Sequence, residues 1–296
     1  MTLASIILLA LKVSIILSVF ALGLKAAFSD VTFLFRHPRH FLRAFLSMKV
    51  LMPLIGLVMA TRLDLHPAVR IALVVISVSP IPPVLPRKAL KAGGKENYTI
   101  GLLVAMGLIS IITIPITLEI LGWLSGVPLS MRFAPVAVLV LVSIIAPLLA
   151  GVVFHKIAPT FADRLARPIG LVAIVLLVLS ALAILISAAP AVWSLIGNGT
   201  VLSLAVFALC GFIIGHLLGG PEPDDRPVLG LATASRHPGI ALAIAAANFP
   251  DQKLAAPAVL LYLVLTILLS ALYLAWVKRR QSASTSAEEI NKPAPA

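Results

Sequence analysis

The chain has 296 residues, of which 60% are hydrophobic and 11% charged. A soluble domain carries nearer a quarter charged residues, so a water-soluble enzyme or binding module is excluded and one integral membrane domain is indicated. The net charge of +12 does not point to nucleic acid, because no basic patch is interleaved with aromatic residues. Cys210, the only cysteine, allows neither an internal disulfide nor a thiolate metal cluster.

Taken in order, apolar stretches long enough to cross a bilayer core fall at about 3–24, 43–61, 67–92, 97–120, 132–155, 168–188, 198–219, 226–248 and 255–277. Met1-Thr2-Leu3-Ala4-Ser5 lacks the basic n-region of a secretory signal, so 3–24 reads as a retained first helix. The third span is interrupted by Ser79-Pro80-Ile81-Pro82-Pro83-Val84-Leu85-Pro86-Arg87-Lys88. The eighth is interrupted by Ala232-Thr233-Ala234-Ser235-Arg236-His237-Pro238-Gly239. Pro53, Pro115, Pro147 and Pro190 lie in apolar surroundings and read as ordinary kinks or helix ends. Gly211, Gly215 and Gly219 recur at the spacing of a close helix–helix contact, with His216 among them as a structural residue. Residues 1–277 form the transmembrane domain, and the Ser-, Ala- and Pro-rich tail 278–296 reads as disordered and cytoplasmic.

Basic residues set the orientation. With the N-terminus outside, the inner flanks hold Lys25, Arg36, Arg39, Arg43, Lys49, Arg87, Lys88, Lys91, Lys95, Lys156, Arg164, Arg167, Arg226, Lys278, Arg279 and Arg280. The outer flanks hold only Arg62, Arg70, Arg132 and Lys253. This bias agrees with an odd number of spans and a cytoplasmic C-terminus, in what is expected to be a cell inner membrane.

Spans one to four and six to nine make two units in which the third member is broken, and the intervening span five inverts one unit relative to the other. Paired broken helices in inverted repeats mark the midplane binding site of secondary transporters. A proline inside a helix removes a donor and frees a carbonyl one turn earlier. In lipid those freed groups need protein, water or ligand. Each break carries an arginine, and of the eleven acidic residues only Glu119 lies in a span, near its end. The candidate substrate-binding residues are therefore Arg236, Arg87, Ser79, Thr233, Ser235 and His237. The arginines would meet an anion, or stand in for a coupling cation. The hydroxyls would donate to the ligand, and His237 could titrate near neutral pH. Against these stand blander roles: an arginine satisfied by freed carbonyls, hydroxyls bonded to local backbone, and a structural imidazole.

Several stretches resemble the bile acid:sodium symporter superfamily, whose fold is shared with sodium/proton antiporters. They are Phe35-Arg36-His37-Pro38-Arg39, Val50-Leu51-Met52-Pro53-Leu54, Leu65-His66-Pro67-Ala68, Ile76-Ser77-Val78-Ser79-Pro80 and Ala89-Leu90-Lys91-Ala92-Gly93. Gly230-Leu231-Ala232-Thr233 and Gly239-Ile240-Ala241-Leu242-Ala243 frame the second break. The resemblance implies an all-α inverted-repeat transporter with two crossing discontinuous helices. It also implies sodium-coupled uptake of an organic anion. The family often has ten spans, and the nine here match it without the first.

The departures concern sodium. Where the resemblance places Glu and Gln as sodium ligands, this chain has Ala232 and Arg236, and His237 stands at the following Asn. Pro82 and Pro83 replace glycines, and Pro86-Arg87 fall near a Ser-Asn pair. Guanidinium has no lone pair to offer sodium, so coupling through the usual ligands is not expected. Thr99 lies near a position that contributes a sodium hydroxyl.

The expectation is a secondary transporter of a small organic anion, working by alternating access, without a cofactor or metal and with the bilayer as its other partner. Sodium-dependent symport of the same kind is the alternative, and a channel or sensory module is the alternative of another class. An enzyme is disfavoured, since no nucleophile–base pair, His-Glu-x-x-His motif or acidic pair is present. Substrate identity, direction, coupling ion and oligomeric state are left open.

Overall fold

The computed structural model describes residues 2–290, and the chain is helical throughout, with no strand among the described residues. The helices are α1 (Leu3–Gly23), α2 (Phe28–Arg36), α3 (Pro38–Arg62), α4 (Pro67–Val78), α5 (Leu85–Lys91) and α6 (Glu96–Ser125). They continue as α7 (Phe133–Ile157), α8 (Pro159–Trp193), α9 (Thr200–Leu218), α10 (Asp225–Ala234), α11 (Pro238–Asn248) and α12 (Ala255–Ile290). By length and composition eight segments can cross a membrane, with α10 and α11 counted together, and α4 is a shorter apolar helix. The all-α polytopic class expected from composition is observed.

Three His-Pro pairs start helices: His37-Pro38, His66-Pro67 and His237-Pro238. Proline fits the first helical position, where its missing N–H is not needed. It also biases the preceding residue away from the helical region. At His66 and His237 the imidazole Nδ1 accepts from a backbone N–H of the first turn, of Ala68 at 3.2 Å and of Ile240 at 3.4 Å.

α3 and α7 each contain a π-helical stretch, Leu46–Leu51 and Leu141–Ile145. Each precedes a proline by two residues. Pro53 cannot donate to the carbonyl of Lys49, nor Pro147 to that of Ser143. The helix widens instead, and Met52 and Ala146 donate five residues back, to Ser47 and Leu141. These two prolines are thus not ordinary kinks, which corrects the reading from sequence; the bulge set up by Pro53 holds Lys49.

Packing separates the helices into two groups. α1, α7 and α8 lie against one another, and the remaining helices gather around the broken segments. Burial follows the same division: 78% of the α10–α11 window is buried but only 17% of the α8 window. α8 therefore presents most of its apolar surface outward, and the broken helix forms the centre. The glycine face of α9 meets α10 closely, as its spacing predicts: a Cβ on Gly211 would come 2.8 Å from Ala234 Cα, and one on Gly215 would come 2.7 Å from Gly230 Cα. α12 carries the helix past Lys278 to Ile290, into the tail that composition marks as disordered. Residues 291–296 of that tail lie outside the described residues.

Candidate functional site

The third and eighth spans are both discontinuous, and their breaks touch. α4 ends at Val78, and Ser79 turns extended at φ −65° and ψ 146°. The chain then crosses three prolines before α5 begins. α10 ends at Ala234, Ser235 is extended at φ −85° and ψ 133°, and α11 restarts at Pro238. The N–H of His237 donates to the carbonyl of Pro80 at 2.8 Å. Arg236 Nη1 donates to the carbonyl of Ser79 at 3.0 Å. On one side of this contact α4 packs on α11, and on the other α5 packs on α10. Each first half thus lies against the other helix's second half.

This arrangement brings the C-terminal ends of α4 and α10 to the centre. Such ends carry unsatisfied carbonyls and partial negative charge. The guanidinium of Arg236 serves one of them, Ser79, and the Tyr262 hydroxyl serves the other by donating to the Ala234 carbonyl at 2.5 Å. Arg236 is 1% exposed, and its Nε and Nη2 have no hydrogen-bond partner among the described residues. Part of the arginine's capacity is therefore spent on the break itself, and the N–H groups on two of its nitrogens are left without a partner among the described residues.

The other sequence candidates divide. Ser235 is buried beside Arg236 with a free Oγ, and His237 is buried with a free Nε2. Thr233 Oγ1 lies 3.1 Å from Ser47 Oγ and ties α10 to the π stretch of α3. Ser79 donates its hydroxyl to the Val75 carbonyl at 2.6 Å, a local bond within the turn it ends. Arg87 is not at the contact between the breaks. It lies half-buried on α5 and donates from Nη2 to the Gly170 carbonyl of α8 at 2.8 Å, which joins the two packing groups. Its Nη1 is buried without a partner. Thr99 donates to the Lys95 carbonyl at 2.7 Å inside its own helix.

Sequence reasoning missed Lys49, counting it with the basic inner flank. The structure buries it to 7% exposure on the π stretch of α3, where Nζ donates to Ser110 Oγ at 2.6 Å. It stands within electrostatic reach of Arg236. A lysine in the middle of an apolar span two turns from a basic flank, followed four residues later by Pro53, was the available signal.

Both cations lack an acidic partner. The ion pairs among the described residues are His40–Asp225, Arg70–Asp64 and Lys95–Glu222, and none of them reaches this centre. No group of three or more His, Cys, Asp or Glu able to hold a metal ion occurs among the described residues. The centre can therefore attract an anion, and it offers a sodium ion no carboxylate.

No curated protein matches the chain. The family described as Sodium Bile acid symporter family matches residues 12–195, a stretch that takes in the first break, the π stretch with Lys49 and the helices α7 and α8 but ends before α9 and the second break. With more than half its length matched, and with a transporter-type core of two touching helix breaks, the chain belongs to the sodium bile acid symporter family.

Proposed function

We propose that this family member is a secondary transporter of a small organic anion, working by alternating access, in which fixed cations replace the coupling sodium ions. The observation that carries the reading is the buried Arg236. Its guanidinium occupies the carbonyl end of α4, the kind of position where a transporter's broken helix would otherwise hold a cation. It keeps two donors in hand. Lys49 adds a second buried basic side chain, and an anion beside two such groups in low dielectric favours their charged forms. Ser235 and His237 supply the neutral polar groups.

α1, α7 and α8 form the panel and the helices around the breaks the moving core, with Arg87 as a contact between them through Gly170. The antiparallel relation of the two broken helices, each first half beside the other's second half, supports an inverted repeat of nine spans. The positive-inside bias supports an outer N-terminus and a cytoplasmic C-terminus in a cell inner membrane.

Family membership favours sodium symport as the second reading. The deciding experiment measures stabilisation of the purified protein by a panel of organic anions, in sodium and in choline at equal ionic strength. Saturable stabilisation that is equal in the two salts supports fixed-cation transport. Stabilisation seen only in sodium would establish the symport reading instead. Lys49→Met is expected to weaken the bound anion about tenfold or more, as for loss of one charge-assisted hydrogen bond.

A further inference from the structure

Away from the breaks, α9 and α12 part to leave an apolar groove of about 430 Å³ on the outer face of the bundle. Its walls are Leu209, Ile213, Leu217 and Leu272, all exposed and all aliphatic. At one end the groove changes character. His216 Nδ1 lies 2.6 Å from the Tyr273 hydroxyl, and Trp276 closes edge-on over the imidazole at 5.2 Å between ring centres. Arg280 covers the Trp276 ring at 4.8 Å. Arg226, at the start of α10, packs its backbone against Gly219 just past the end of α9, where an added Cβ would come 2.4 Å from its Cα, and both Arg226 and Arg280 are exposed.

Two features of this groove select its occupant. The aliphatic length lies along two membrane-spanning helices, so it faces hydrocarbon. The polar end combines Tyr, Trp and two arginines, the residue set that sits at headgroup level in a membrane. A basic pocket at the end of an intermembrane groove recognises anionic headgroups. Arg226 donates from Nε to the Gly220 carbonyl at 2.9 Å, which orients its side chain. Arg43, whose guanidinium lies against Gly220, and Lys95, Arg226 and Arg280 face Glu222, Asp224 and Asp225, so the basic residues exceed the acidic ones at this end.

We propose that the α9–α12 groove binds one anionic phospholipid, its acyl chain along Leu209, Ile213 and Leu217 and its phosphate between Arg226 and Arg280. The groove floor reaches the transport core: Tyr273 abuts Gly230 of α10, where an added Cβ would come 2.5 Å from the tyrosine hydroxyl. A lipid seated there packs on the helix that carries the second break. The inference is independent of which anion the protein transports.

The test uses the purified full chain and native mass spectrometry. The probes are phosphatidylglycerol and phosphatidylcholine with identical acyl chains. Phosphatidylglycerol is expected to be retained preferentially, with the preference falling about fivefold for Arg226→Gln or Arg280→Gln and about thirtyfold for both. The control Arg62→Gln with Arg132→Gln lowers net charge equally at other exposed sites and is expected to keep the preference. Ile213→Trp, which fills the exposed groove, is expected to reduce retention of both lipids. Glycerol phosphate without chains is expected not to displace the lipid. Equal retention of the two lipids would overturn the proposal. So would an unchanged preference in the Arg226/Arg280 double variant, loss of preference in the control, or displacement by glycerol phosphate.

Discussion

Replacing Arg236 by glutamine is the most informative single change, because the structure gives the residue two separable tasks. The guanidinium is buried, donates one hydrogen bond to Ser79 and has two nitrogens, Nε and Nη2, without partners among the described residues. Glutamine removes the charge, and its amide nitrogen ends two bonds short of Nη1, so the hydrogen bond to Ser79 is lost with it. An arginine at membrane depth costs about 2.5–3.5 kcal/mol on insertion scales, while a hydrogen bond from a charged donor contributes about 1.5–3 kcal/mol. For the ligand-free protein these nearly cancel, and its melting temperature is expected to move little. For the ligand-bound protein only the loss remains, about 10- to 150-fold in affinity. Binding is read from ligand-induced stabilisation, and flux from uptake into proteoliposomes, on the same preparation. If Arg236 pairs with the substrate, Arg236→Lys binds less well than the wild type, because lysine lacks the planar donor fork, and better than Arg236→Gln. If Arg236 acts only as a replacement for sodium, the lysine variant transports and the glutamine variant binds but does not cycle. Unchanged binding together with unchanged flux in Arg236→Gln would refute both roles and leave the residue as a cap on α4.

Replacement of sodium by choline at constant ionic strength is expected to leave the half-saturating anion concentration within about twofold, since no charge-bearing sodium ligand is present to lose; a saturable sodium requirement would contradict this. Arg87→Gln is expected to spare anion binding and to lower flux, because Arg87 joins α5 to the Gly170 carbonyl of α8 rather than lining the centre; equal loss of binding and flux would place it in the ligand site. Gly211→Val is expected to lower stability by about 1–3 kcal/mol through overpacking, since its Cβ would meet the backbone of Ala234 at 2.8 Å, and a melting temperature equal to wild type would show that α9 and α10 can separate freely.

Much of this protein is legible in the sequence because the bilayer is a strict solvent. Span length, the breaks at Pro80 to Pro86 and at Pro238 and the glycine face of α9 all follow from local rules: hydrocarbon thickness, a missing N–H, the lack of a Cβ. The absence of acids near Arg236 was also a matter of counting. Tertiary structure alone decided what those residues meet. It gave one guanidinium N–H of Arg236 to Ser79, moved Arg87 away from the centre onto α8, and gave Ser79's own hydroxyl to Val75. It also buried Lys49 near Arg236 on a π stretch: the lysine and the proline four residues on are visible in the sequence, but the neighbour they meet is not. The physical reason is that the charge of a side chain is local, whereas its solvation depends on helices distant in sequence. Which cation keeps donors without a protein partner is set by packing between the two halves of the chain.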